Sequence, residues 1–150
     1  MIRKYHQYRQ GEFKPLYPKK YVGSLPIVYR SSYEMKFYSW LDLNPNVIEW
    51  TSESIAIPYI SPKDNKVHRY WPDATVKLKD KNGNLHKYIV EIKPAKQTIP
   101  PNEKNRKNPN KILYEKLTYE INLSKWKASQ EMCQKMGLKF MILTEKDLGI

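Results

Sequence analysis

Tyr70-Trp71-Pro72-Asp73, then Asp80-Lys81-Asn82-Gly83-Asn84, then Val90-Glu91-Ile92-Lys93-Pro94: these three pieces decide the fold. The middle piece is a hairpin turn, because Asn-Gly supplies the residues that tolerate positive φ. The pattern on either side is strand-like, from Val67 to Leu78 on the way out and from Leu85 to Lys93 on the return, where Pro94 ends the pairing. Side chains alternate along a strand, so Tyr88, Val90 and Ile92 share one face and Ile89, Glu91 and Lys93 the other. A pivot near Gly83 places residue 73 opposite residue 93, so Asp73 faces the Glu91–Lys93 region. Two carboxylates and an ammonium then lie on one face of a sheet.

Elements on both sides complete a domain. Ser31 or Ser32 is a good cap for a helix running to Leu43, which Asn44-Pro45 stops. Its apolar positions Tyr33, Phe37, Trp40 and Leu41 have helical spacing, and Glu34 lies in the first turn, where the helix dipole favours an acid. Val47–Trp50 and Ile55–Ile60 read as short strands before the turn at Ser61–Asn65. Beyond the hairpin comes a basic loop over 94–111, then a helix from Lys111 to Met136 with Leu113, Leu117, Ile121, Ala128, Met132 and Met136 on one stripe and Gly137 at its end. Trp126 falls off that stripe and is expected to pack on another element. Leu138–Leu143 is a buried strand, Cys133 a small buried residue, and Thr144–Leu148 a capped turn. The order is helix, three strands in meander, long helix, strand: an α/β domain whose central mixed sheet is flanked by helices.

The 150 residues include 27 Lys+Arg against 15 Asp+Glu, a net charge of +12, with 40% hydrophobic residues. That is enough apolar matter for one packed domain, and the charge points to a polyanionic partner. A single cysteine excludes an internal disulfide and a Cys-based zinc site, and His6, His68 and His86 are scattered. No run approaches the roughly 18 apolar residues of a membrane helix, and Met1–Gln7 has no apolar signal core, so the expectation is a protein of the cytoplasm with no membrane partner. Residues 1–30 read as a basic N-terminal arm ahead of a domain over 31–150. The arm carries seven basic residues and one acid, and Pro15, Pro18 and Pro26 argue against regular structure. Its tyrosines either stack on bases while its cations hold phosphates, or strap the arm onto the body.

Adjacent carboxylates on an apolar sheet repel unless a cation lies between them, and with no Cys or His nearby that cation is Mg²⁺ or Mn²⁺. Such an ion activates water and stabilises charge on phosphate, and Lys93 is placed to hold the phosphate or orient the water. Glu34, Pro72-Asp73 and Glu91-Ile92-Lys93 resemble the PD-(D/E)xK nuclease superfamily. The stretches Tyr29–Glu34, Tyr70–Asp73 and Phe140–Glu145 are similar to its TnsA-type branch, which often carries Gln where this chain has Glu91. The resemblance implies a restriction-endonuclease-like core (α-β-β-β-α-β) and a Mg²⁺-dependent DNA endonuclease or exonuclease. It implies Asp73, Glu91 and the Ile92 carbonyl as metal ligands, Glu34 completing or supporting the site, and Lys93 as the catalytic lysine. Size, basicity and motif set are also similar, over nearly the whole chain, to the head-completion nucleases of T-even-like tailed phages. That likeness implies work on DNA as filled heads are finished, in the host cytoplasm or with the virion, beside other head or neck proteins or as a homodimer.

Candidate DNA contacts are Arg30, His68 and Arg69, then Lys96, Gln97, Lys104, Arg106 and Lys107 in the basic loop. Each has a bland alternative as a solvated surface residue. Lys93 could be a strand-end lysine, and Glu91 an edge acid paired with Lys93 or Lys77. Two other functions stay open: a non-catalytic DNA-binding protein on a nuclease-like fold, and an RNA-associated basic protein, which would leave the acids unexplained.

Overall fold

The computed structural model describes residues 10–104 and 108–149. In chain order the elements are β1 (Gly11–Phe13), β2 (Ile27–Tyr29), α1 (Ser32–Leu43), β3 (Val47–Ser52), β4 (Ile57–Ile60), β5 (Val67–Tyr70), β6 (Ala74–Lys79), β7 (Leu85–Ile92), α2 (Pro109–Met136) and β8 (Lys139–Leu143). The central sheet runs β3-β6-β7-β8, and two small hairpins, β1-β2 and β4-β5, stand apart from it. β3, β6 and β7 are antiparallel neighbours, while β8 joins β7 in parallel after the crossover through α2. The core order α-β-β-β-α-β and the mixed sheet are therefore as expected, with β4-β5 inserted between the first two core strands.

That insertion corrects one element. Val67–Leu78 is not a single strand: Val67–Tyr70 pairs with β4, Trp71-Pro72-Asp73 breaks the chain, and only Ala74–Lys79 enters the central sheet. Pro72 lacks the N–H a ladder needs, so the sheet strand starts after it. The register is corrected too. Ala74 pairs with Val90 and Leu78 with His86, so continuing the ladder sets Asp73 opposite Glu91, not residue 93. The turn pivots about Asn82, closed by Asp80 N–H donating to the Asn84 carbonyl at 2.8 Å, with Gly83 at φ +81° beside the pivot.

Alternation along β7 separates two cores. Val90 and Ile92 pack with Phe37, Tyr38 and Leu41 of α1 and with Trp50 of β3. Ile89 faces the other way, onto Cys133 of α2 and Ile57 and Tyr70 of the β4-β5 hairpin. Helix α1 begins at the expected place, with the Ser31 Oγ accepting from Glu34 N–H at 3.1 Å. Its buried face is Glu34, Phe37, Tyr38 and Leu41, whereas Trp40 is half exposed. In α2 the expected apolar stripe is only part of the packed face: Ala128 and Met132 lie half-buried against the core around Cys133. Leu113 and Met136 are exposed, and the buried face is Asn122, Trp126, Ser129 and Cys133. The i, i+4, i+7, i+11 spacing is helical, but half of those residues are polar, so hydrophobic periodicity hides the face. Asn108 caps the helix and moves its start two residues earlier than expected, and Gly137, at φ +71°, ends it.

Residues 10–30 are bound to the body rather than free of structure. Phe13 packs edge-on against Tyr38 and Trp50, Tyr21 packs on Trp50, and Ile27 is buried. The Lys20 ammonium donates to the Leu41, Asp42 and Asn44 carbonyls at 3.2, 2.8 and 2.6 Å, satisfying the open end of α1. The Asp42 carboxylate accepts from Leu16 and Tyr17 N–H. So at least one arm cation is used for helix capping. The rest of the arm, residues 1–9, lies outside the described residues.

Candidate active site

The end of β3, the start of β6, the end of β7 and the first turn of α1 meet at one end of the sheet. The break at Trp71-Pro72-Asp73 frees Asp73 to turn its side chain along β7, where its Oδ2 accepts from Ile92 N–H at 2.7 Å. That bond sets the Asp73 carboxyl against the backbone that joins Glu91 to Lys93. Glu91 is 5% exposed, within a hydrogen bond's reach of Asp73. Burial, and then the Glu91 carboxylate, push the Asp73 carboxyl well above the usual range, while the Ile92 N–H and then Lys93 pull the other way.

From the other layer, Glu34 comes in at 9% exposure. Its Oε2 accepts from the Ser31 hydroxyl at 3.2 Å, but its Oε1 is buried without a hydrogen-bond partner. Burial, then the charge of Asp73, raises the Glu34 carboxyl to about 7 from an ordinary 4.5. Glu34, Asp73 and a third acid, Glu53, each offer an oxygen within 4.8 Å of the others. Hard oxygen donors, an orphaned buried oxygen and carboxyls that resist ionising are what a divalent cation would relieve, so this donor set fits Mg²⁺ or Mn²⁺.

The structure thus sets Asp73 beside Glu34 on one side and beside Glu91 and the backbone of Ile92 on the other, with Lys93 following just past the strand end. Sequence reading missed two neighbours. Glu53 stands just past β3, paired through its carboxylate with the Arg30 guanidinium; no motif marks it. Lys125 is drawn in from α2, over the rings of Tyr59 and Tyr70 at 5.8 and 5.5 Å from their centroids. Burial, then the Lys93 ammonium, lowers its pKa, while Glu91 opposes the shift. The signal in sequence would have been its place one turn before Ser129, on the buried polar face of α2.

The remaining candidates divide. Arg30 is paired with Glu53, and His68 with Asp64 at 2.9 Å. Arg69 is exposed on the outer face of the β4-β5 hairpin. Lys96 and Gln97 are exposed on the turn that follows Lys93, and Lys104 is exposed further along the loop. Arg106 and Lys107 lie outside the described residues. Glu145 fixes the exit of β7 by accepting from Ala95 N–H at 2.8 Å.

A broken strand carrying an aspartate, paired with a strand ending Glu-Ile-Lys and backed by a helical glutamate, defines a restriction-endonuclease-like nuclease. Residues 44–145 match the model of the TnsA-like endonuclease N-terminal family, and the chain belongs to that family. Glu53, Asp73, Glu91, Lys93 and Lys125 fall within the matched span, and Glu34 precedes it. The chain is also 39% identical over 142 residues to the head completion nuclease of Enterobacteria phage T4, covering 92% of each chain. No described helix is long and apolar enough to cross a membrane.

Proposed function

We propose that this nuclease is a divalent-metal-dependent DNA nuclease, selective for DNA structure rather than sequence, that acts during phage head completion. The observation that carries the metal-dependent reading is the Asp73 carboxyl at the end of the sheet, with oxygens of Glu34 and Glu53 within 4.8 Å, Glu91 beside it, and a buried Glu34 oxygen left unpartnered. Asp73, Glu91 and the Ile92 carbonyl would hold Mg²⁺ or Mn²⁺, with Glu34 completing the set. The chemistry such an ion supplies when bound is a water of lowered pKa and polarisation of the scissile phosphate.

The chain's own groups do the rest. The Asp73–Ile92 hydrogen bond fixes the orientation of the Asp73 carboxylate, and Glu145 fixes the exit of the strand that carries Lys93. Lys93 holds a phosphate oxygen beside the acids, and its charge moderates the negative field that would otherwise repel DNA. Lys125, held over two tyrosine rings with Lys93 nearby, grips an adjacent phosphate. Arg69, Lys96, Gln97 and Lys104 are surface contacts for the polymer, with Arg106, Lys107 and residues 1–9 adding charge. The head-completion role is supported by likeness to the T4 protein; the work would then fall in the host cytoplasm during assembly, where a second copy would serve to cut both strands.

The test is a cleavage assay with Mg²⁺ and with EDTA on blunt, overhanging, forked and gapped DNAs. Cutting that needs the metal, favours one structure, and disappears in Asp73→Ala and in Lys93→Ala while DNA binding persists is the expected result. Equal cutting by both variants would show that the site is elsewhere, and salt-sensitive binding with no cutting of any substrate would favour a non-catalytic binding protein.

A further inference from the structure

We propose that Glu53 is a further metal-ligating carboxylate of this centre and that Arg30 is its counter-ion while the metal is absent. The proposal rests on the metal-dependent reading above and adds a donor that the Asp and Glu-x-Lys motifs do not contain. Glu53 has φ +46°, in the left-handed region where a side chain is crowded and glycine is the comfortable residue. A glutamate kept there has a use beyond turning the chain. Its backbone N–H donates to the Asp73 carbonyl at 3.1 Å, so the strained residue is tied to the break that presents Asp73. Its carboxylate then comes within 4.8 Å of an oxygen of Glu34 and an oxygen of Asp73.

Three acids so close repel one another. Among the described residues, the one cation at ion-pair distance from the trio is Arg30, on Glu53. Beside that pair, the buried Oε1 of Glu34, a carboxylate of the trio, has no hydrogen-bond partner. The orphan oxygen is independent of the Arg30 contact, and a buried acceptor without a partner is a donor a cation can use. A divalent ion shared by the three carboxylates would satisfy that oxygen and displace Arg30 from Glu53. Arg30 is free to leave, because its side chain is half exposed and sits at the end of the strap, next to the helix cap Ser31. Once released, it stands at the rim of the centre with its charge available to a DNA phosphate.

Titration calorimetry with Mn²⁺ on the full chain, together with thermal unfolding in EDTA, tests this without any cleavage readout. Glu53→Gln should weaken Mn²⁺ binding about 10- to 100-fold and raise the unfolding temperature of the metal-free protein. Glu53→Gly removes the carboxylate while suiting the positive φ, so it keeps the test intact should the glutamine variant fold poorly. Arg30→Gln should tighten Mn²⁺ binding and lower the metal-free unfolding temperature. Asp73→Asn separates the two levels of the argument. If it binds Mn²⁺ like the parent, the metal-centre reading itself fails. If it loses Mn²⁺ while both Glu53 variants bind like the parent, Glu53 is no ligand and the proposal is overturned. Unchanged or weaker Mn²⁺ binding in Arg30→Gln would overturn the counter-ion role.

Discussion

Glu34→Gln in metal-free buffer probes the electrostatics of the centre most simply. Glutamine keeps the shape and the hydrogen bond to Ser31 while removing the charge. In the parent the Glu34 carboxyl titrates at about 7 when folded, against an ordinary 4.5. A raised carboxyl pKa means that the folded state holds a proton the unfolded state has already released. Stability from this group is therefore complete below about pH 4.5 and is lost as pH rises through about 7. At about 1.4 kcal/mol per pKa unit, reduced somewhat because the neighbouring Arg30 and Glu53 side chains are partly exposed and screened, the loss is on the order of 2–3 kcal/mol. Urea unfolding at pH 5 and pH 8 in EDTA reads it. The variant and parent should differ by less than about 1 kcal/mol at pH 5, and at pH 8 the variant should be the more stable by about the full amount, or roughly 5–10 °C in Tm. The raised Asp73 carboxyl leaves some pH dependence in both proteins. Saturating Mg²⁺ should reverse the order at pH 8, because the ion stabilises the folded state that binds it. Parallel pH profiles for variant and parent in EDTA would refute the account of Glu34.

Other groups yield smaller tests. Lys125→Met, measured in an Asp73→Ala background, should weaken DNA binding and lower the salt slope by about 0.9, the loss of one phosphate contact; Lys125→Arg should restore the slope. Lys20→Met should cost about 1–2 kcal/mol by urea unfolding, since three carbonyls at the end of α1 lose one charged donor. Trp126→Ala should cost about 3–5 kcal/mol, because this side chain is buried under α2.

Local rules made much of this molecule legible. Asn82-Gly83 announced the turn, the alternation of β7 separated Val90 and Ile92 from Ile89 and Glu91, and Ser31 announced the start of α1. Those features depend on residues close together in the chain. The errors came where tertiary context decides. Tyr70 and Ala74 look like parts of one strand, yet Tyr70 pairs with Ile57 and Ala74 with Val90 and Ser52. The register missed by two residues because the turn pivots on Asn82, which the dipeptide alone does not fix. The α2 face was hidden because Asn122 and Ser129 are buried polar residues, and the arm looked unstructured because Lys20 and Asp42 bond to groups more than twenty residues away. That Asp73 lies beside Glu91, with Lys93 two residues on, was legible from the hairpin; that Glu53 and Lys125 lie close by was not, because only the fold brings them near.

The central claim, that the acids at the end of β7 form a metal centre, is tested most directly by locating the ion. Crystals soaked in Mn²⁺ and measured for anomalous scattering should show a peak bounded by Asp73, Glu91 and Glu34, and the peak should vanish in Asp73→Asn. A peak elsewhere, or none at concentrations that support cleavage, would contradict it.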